Sequence, residues 1–175
     1  MRPRTILLSA IGTLAVSAAA PFLIAGQPAY AHAKPPASLV GSWRVTTTPY
    51  DCATGELLTF AAFEEYMTFG AEGTLTETTS NPAFQPGQRS PGHGFWERIG
   101  RGSYHAVFKA FIQFESVVTP PAPPRYLRGT QHVDHGIDLL DSNRWESTAA
   151  VSFFDVHGTL SPPSGCAAAA AVRIE

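Results

Sequence analysis

The sequence predicts an all-β protein, a single eight-stranded up-and-down antiparallel barrel. Three observations carry this. Segments of five to ten residues with apolar and polar residues in alternation are separated by clusters of Gly, Pro, Asn and Asp. No amphipathic stretch of 3.6-residue period and useful length interrupts them. Gly41-Ser42-Trp43 opens the first such segment and Arg173 closes the last. A guanidinium laid across an indole would join first and last strands and seal the ring, so Gly41, Trp43 and Arg173 are expected to be structural.

The elements follow in order. Residues 1–31 read as an export signal: Arg2 and Arg4 precede an apolar stretch from Ile6 to Ala20, and Ala29-Tyr30-Ala31 offers a small-x-small cleavage site. Ser9, Gly12, Ser17 and Pro21 dilute the stretch as a membrane span, so no span is expected once the signal is removed. The expected product is secreted. Residues 32–38, with Pro35-Pro36, read as a disordered leader, and residues 39–175 as the barrel domain.

The first strand is expected over about Gly41 to Thr48, with Trp43, Val45 and Thr47 on one face. The second spans Phe63 to Phe69, and Gly70 to Gly73 turns it into a third, Thr74 to Thr79. Asn81 to Pro91 forms a polar loop before a fourth strand, Gly92 to Ile99. The fifth has the clearest pattern, with Tyr104, Ala106, Phe108, Ala110, Ile112 and Phe114 at strict period two. After a Pro-rich loop, Thr119 to Pro124, the sixth runs from Arg125 to Leu140 with a bend near Gly136. The seventh covers Arg144 to Phe154 and the eighth Cys166 to Ile174. Ala167 to Ala171 would suit a helix by propensity, but the run is short, and Val172 and Ile174 alternate about Arg173 as in a strand. Eight strands closed on themselves leave no free sheet edge, and their interior is either filled or holds one small ligand.

Gly41-Ser42-Trp43, Ala171-Val172-Arg173 and the meander between them make the chain resemble the calycin barrels: lipocalins, avidins and fatty-acid-binding proteins. The resemblance covers Leu39 to Glu175 and is nearest to exported bacterial lipocalin-like proteins. It departs from most lipocalins in having no helix after the last strand, and no polar set matches the avidin biotin site. It implies a barrel whose interior takes a small hydrophobic molecule.

Cys52 and Cys166 are the two cysteines of the chain. In an oxidising compartment they read as one disulfide, and they lack the C-x-x-C spacing of a redox or metal pair. Closing a loop of over a hundred residues stabilises by about 4.7 kcal/mol in the chain-entropy model. Loss of Arg2 and Arg4 with the signal leaves 10 basic against 14 acidic residues. With no basic run, nucleic acid is not an expected partner.

Named catalytic, phosphate-binding and dinucleotide motifs are absent, so no cofactor is expected and the chain reads more as a binding protein than an enzyme. His132-Val133-Asp134-His135 would place His132 and Asp134 on one face and His135 on the other, which does not gather three metal ligands. His93, Glu65 and Tyr104 could form an acid–base set at a barrel mouth, while adjacent Glu64 and Glu65 face opposite ways. The aromatic set is the strongest functional signal. Trp96, Tyr104, Phe108, Ile112 and Trp145 are expected to line a ligand cavity, with Ala106, Ala110, Ala149, Ala168 and Ala170 leaving it space. Phe111 and Phe154, at opposite parity, would mark an outer patch or the contact of a homodimer, a monomer being the other expectation. The expected function is an exported barrel binding a small apolar or amphipathic ligand. Alternatives are a cofactor-free cyclase or isomerase, and an interaction module with a filled interior.

Overall fold

In a computed structural model, residues 37–114 and 128–175 are described. The expected signal peptide, most of the leader, the Thr119–Pro124 loop and the start of the sixth strand at Arg125 lie outside them. The strands are β1 (Gly41–Tyr50), β2 (Phe63–Phe69), β3 (Thr74–Thr79), β4 (Gly92–Arg98), β5 (Ser103–Ile112), β6 (Gly129–Leu139), β7 (Arg144–Asp155) and β8 (Leu160–Arg173). Each pairs antiparallel with its neighbours in sequence, and β8 pairs with β1, so the sheet closes into an eight-stranded up-and-down barrel. This architecture is consistent with a calycin-like fold.

Alternation sets which residues fill the interior. Trp43 and Val45 of β1, Met67 and Phe69 of β2, Tyr104, Ala106 and Phe108 of β5, and Trp145 of β7 are buried. Their even- or odd-numbered neighbours face outward, as with Tyr66, Phe95 and Phe111, each more than half exposed. One end of the barrel carries the tight turns after β2, β4 and β6, together with the start of β1 and the end of β8. It is closed by aromatic packing. Trp43 meets Trp145 edge-on at 6.2 Å, Trp145 meets Phe69 at 6.3 Å, Phe69 meets Trp96 at 6.1 Å, and Trp96 meets Tyr104 at 5.6 Å. The Trp43 and Trp96 indoles donate to the carbonyls of Leu39 and Gly70.

Trp43 and Arg173 are cross-strand partners, and the Arg173 guanidinium stacks on the Trp43 ring at 4.1 Å. Cys52, just beyond β1, is bonded to Cys166 of β8, which stands opposite Tyr50. The ring is therefore fastened twice along one seam, by charge on a π-face at the closed end and by sulfur at the other.

Three details differ from expectation. The alanine run is a strand, but Ala167, Ala169 and Ala171 point inward, whereas Ala170 is exposed. Parity follows from the seam: Arg173 shares a face with buried Trp43, so the odd-numbered alanines share that face too. The sheet passes Gly136 without a break in register, and the irregularity lies instead between Val151 and Phe153. There Val151 pairs with Gly165 and Phe153 with Ser161, so Pro162 and Pro163, which have no N–H to donate, sit inside a bulge. β8 accordingly begins at Leu160, earlier than the Cys166 expected.

Candidate functional site: a polar-floored cavity at the long-loop end

The other end of the barrel carries the longer connections 51–62 and 80–91 together with the short turn 156–159, and beneath them lies a cavity of about 280 Å³. Apolar walls come from Phe63, Phe108, Val133, Ala149, Val151 and Phe153. The loop between β3 and β4 folds over this end and contributes Phe84 and Arg89 to the lining. Backbone bonds from Ser90 N–H to the Phe111 carbonyl and from Gln113 N–H to the Gln88 carbonyl fasten that loop to β5.

Four polar side chains point into this end of the barrel from three strands, β2, β3 and β6. Glu65, Gln131 and His135 line the cavity, and Glu77 lies behind Arg89. Each occupies an inward position on its strand: Glu65 stands between Phe63 and Met67, His135 between Val133 and Ile137, Glu77 two places from Leu75 and Gln131 two places from Val133.

Arg89 and Glu77 form a buried ion pair, with side chains 4% and 0% exposed. Arg89 Nη2 donates to Glu77 Oε2 at 2.8 Å and Nη1 to Oε1 at 3.3 Å, the two-point geometry of a guanidinium on a carboxylate. Nε donates to Gln131 Oε1, and Nη1 also to the Ser90 carbonyl. Burial pushes the Glu77 carboxyl above its usual range, and Arg89 opposes this.

Glu65 lacks such a partner. Thr47 Oγ1 donates to its Oε2 at 3.0 Å. Burial, reinforced by the Glu77 charge, pushes its carboxyl up to about 7, with Thr47 and Arg89 pulling the other way. His135 is 2% exposed and stacks on Phe108 at 5.8 Å. Its Nδ1 lies 3.2 Å from Ser147 Oγ, while its Nε2 has no hydrogen-bond partner among the described residues. Burial lowers its pKa to about 4, so the imidazole is neutral near pH 7.

Of the residues expected to line a cavity, Phe108 and Ala149 do so. Tyr104 and Trp145 are buried in the aromatic closure with half-buried Trp96, and Ile112 stands at the end of β5, opposite Gly129 and bridged to Arg89. Glu65 faces the cavity, but Tyr104 lies in the closed end and His93 is exposed, so these three do not converge. His132 and Asp134 are on the outer face: His132 stacks on Phe154 at 4.3 Å, and Asp134 meets His105 at 3.0 Å. Among the described residues no three His, Cys, Asp or Glu side chains gather as a metal site.

Sequence reasoning passed over Glu77, Gln131 and Arg89, and weighed His135 only as a metal ligand. For Glu77, Gln131 and His135 the signal was present as parity, because each shares a face with a core residue two places away, Leu75 or Val133. Arg89 sits in a loop, where no period exists to read. The chain matches no protein-family model and no curated protein.

Proposed function

We propose that this is an exported, lipocalin-like barrel that binds one small apolar or amphipathic molecule in the cavity at its long-loop end. The observation that carries the reading is the cavity itself. It is about 280 Å³, mostly apolar, and has a few polar groups converging from separate strands, the usual make-up of a small-molecule site. Phe108 would be the central ligand contact, and Trp96, Tyr104 and Trp145 would hold the far end rigid. Affinity would come chiefly from apolar area, at about 25 cal/mol per Å² buried. The disulfide accords with an oxidising, extracellular destination.

The test is native mass spectrometry of protein secreted by its own host, followed by extraction of whatever accompanies it. A one-to-one small-molecule adduct, absent from a cavity-filling Ala149→Phe variant that still melts cooperatively, is the expected result. An adduct that persists in that variant, or secreted protein carrying none and accepting none, overturns the reading. The mature N-terminus is expected at His32.

One observation favours a second reading. A cavity carboxyl titrating at about 7 is suited to proton transfer near neutrality, as a cofactor-free isomerase or cyclase would need. Turnover of the co-purifying molecule or a close relative, abolished in Glu65→Gln with binding retained, would establish it.

A further inference from the structure

We propose that a second copy of this chain docks on the outer face of β6, β7, β8 and β1, in a two-fold dimer whose barrels lie side by side and antiparallel. This pairing goes beyond the binding reading and does not depend on it.

The outer wall of a barrel is convex, but this part of it is hollowed. Thr46 and Thr48 of β1 stand in register with Ala170 and Ala168 of β8, and those with Glu146 and Thr148 of β7. They floor a groove of about 540 Å³ that continues, across Thr46, Leu140, Glu146 and Ala170, into one of about 220 Å³. Leu57, 51% exposed, borders the groove from the long-loop end. Arg44, Val172 and Arg144 border it at the tight-turn end.

Charge decides the occupant. Arg44 and Arg144 both stand opposite Val172, one on each side of β8. Arg144 is steadied by Asp141 at 2.8 Å, and Arg44 is exposed. The 51–62 loop at the other end carries Asp51 and Glu56 and has no lysine or arginine. One end of the face is therefore basic and apolar, the other acidic and apolar, so the face is complementary to itself turned end for end. Of the two acids between these ends, Glu146 is two residues from Arg144 on the same face, and Asp138 accepts from the Ser103 hydroxyl at 2.8 Å.

Register fits the same symmetry. Leu57 is bridged to Tyr50, which lies six residues from Arg44, about 20 Å along β1. Thr47 is midway. A two-fold axis in the plane of contact, crossing the strands at Thr47, brings Glu56 and Leu57 of each protomer onto Arg44 and Val172 of the other. Between these two contacts small residues meet small ones, Thr46 against Thr48 and Ala170 against Ala168. An axis along the strands would instead set basic end on basic end. Four strands about 4.8 Å apart and about ten residues long cover about 600 Å² in projection. Side-chain relief raises the accessible area toward the about 800 Å² per partner of a standard interface. The loop is already fixed, by Cys52 on Cys166 and by Leu58 N–H on the Pro49 carbonyl, so docking orders little.

Sedimentation of the mature, disulfide-bonded protein from micromolar to sub-millimolar concentration tests this, and a monomer–dimer equilibrium is expected. Arg44→Glu and Glu56→Arg each set like charges at both contacts and are expected to weaken the dimer at least tenfold. An equimolar mixture of the two variants restores opposite charges at both contacts and is expected to associate within about threefold of wild type. Both side chains are exposed, so cooperative melting should be kept. Should either variant fail to melt cooperatively, Leu57→Ser replaces the pair and is expected to weaken the dimer at least tenfold, an unchanged dimer counting against the proposal. A wild-type protein that stays monomeric overturns it, as does a mixture that does not associate. A dimer that neither charge variant weakens also overturns it and moves the contact to another face, such as that of Phe111.

Discussion

The Arg173 guanidinium lies 4.1 Å from the centre of the Trp43 indole, and each of its three nitrogens donates to a backbone carbonyl. Nε reaches Ser142, Nη1 Val40 and Nη2 Ser38, so one side chain joins the β6–β7 turn, the segment entering β1 and the end of β8. Arg173→Ala is expected to destabilise the fold by about 2–4 kcal/mol, from the lost cation–π contact and the carbonyls left behind. Arg173→Lys should recover only part, because an ammonium lacks the planar fork. Urea denaturation measures both. Ligand affinity at the opposite end should be unchanged, and an unchanged denaturation midpoint for Arg173→Ala would show the contact to be incidental.

The Cys52–Cys166 bond closes a separation of 114 residues. Replacing both with Ala is expected to cost about 3–5 kcal/mol, somewhat near the chain-entropy value for a loop of that length. Reductant should lower the denaturation midpoint of the wild-type protein and leave that of the double variant where it was.

Glu65 and His135 impose opposite pH dependences on stability. The folded Glu65 carboxyl is raised from 4.5 to about 7, so the folded state holds the extra proton between those values. Its contribution is full below pH 4.5 and is lost as pH rises through about 7, amounting to about 3 kcal/mol. Folded His135 is lowered from 6.5 to about 4, so here the unfolded state holds the extra proton, and stability rises with pH between those values. Where the windows overlap the slopes oppose. Relative to wild type, Glu65→Gln should become more strongly stabilised as pH rises from 4.5 to 7, and His135→Phe more strongly stabilised as pH falls from 6.5 to 4. Denaturant midpoints across pH 4 to 8 check this, and parallel curves for all three proteins would contradict it. Glu77, also raised by burial, contributes with the same sign as Glu65, and comparison with wild type removes it to first order.

Breaking the Glu77–Arg89 pair from one side leaves a buried charge without its counter-ion. Arg89→Met is expected to cost about 3–5 kcal/mol, and Arg89→Met with Glu77→Leu to recover most of it. A double-mutant cycle in urea measures the coupling. If the double variant is as unstable as the single one, the loop's backbone bonds, not the ion pair, hold this end together.

Most of the barrel was legible because its strands are half-buried, and half-burial writes itself as period two. The β5 pattern from Tyr104 to Ile112 is the plainest instance. The closure was legible too, since Trp43 and Arg173 mark the two ends of the chain that must meet. The cavity was harder to see. Its wall depends on which parity of the alanine run faces in, and alanine has no preference of its own to reveal that. The cavity's position depends on where the large aromatics collect: Trp96, Tyr104 and Trp145 gather at the tight-turn end and leave the long-loop end to smaller residues. Arg89 reaches the interior from a loop, and its pairing with Glu77 is a long-range fact that local sequence does not encode. The same holds for Gly94, where an added Cβ would collide with the Val107 carbonyl oxygen, a crowding visible only once β4 and β5 are paired.

The split between tight turns at one pole and long connections at the other gives the molecule separable halves for engineering and for descent. Substitutions within residues 80–91 would change what Phe84 and its neighbours present to the cavity, while the aromatic pole remained untouched. Change in that segment which keeps Arg89 on Glu77 would thus alter the walls of the cavity and leave the barrel's closure as it is.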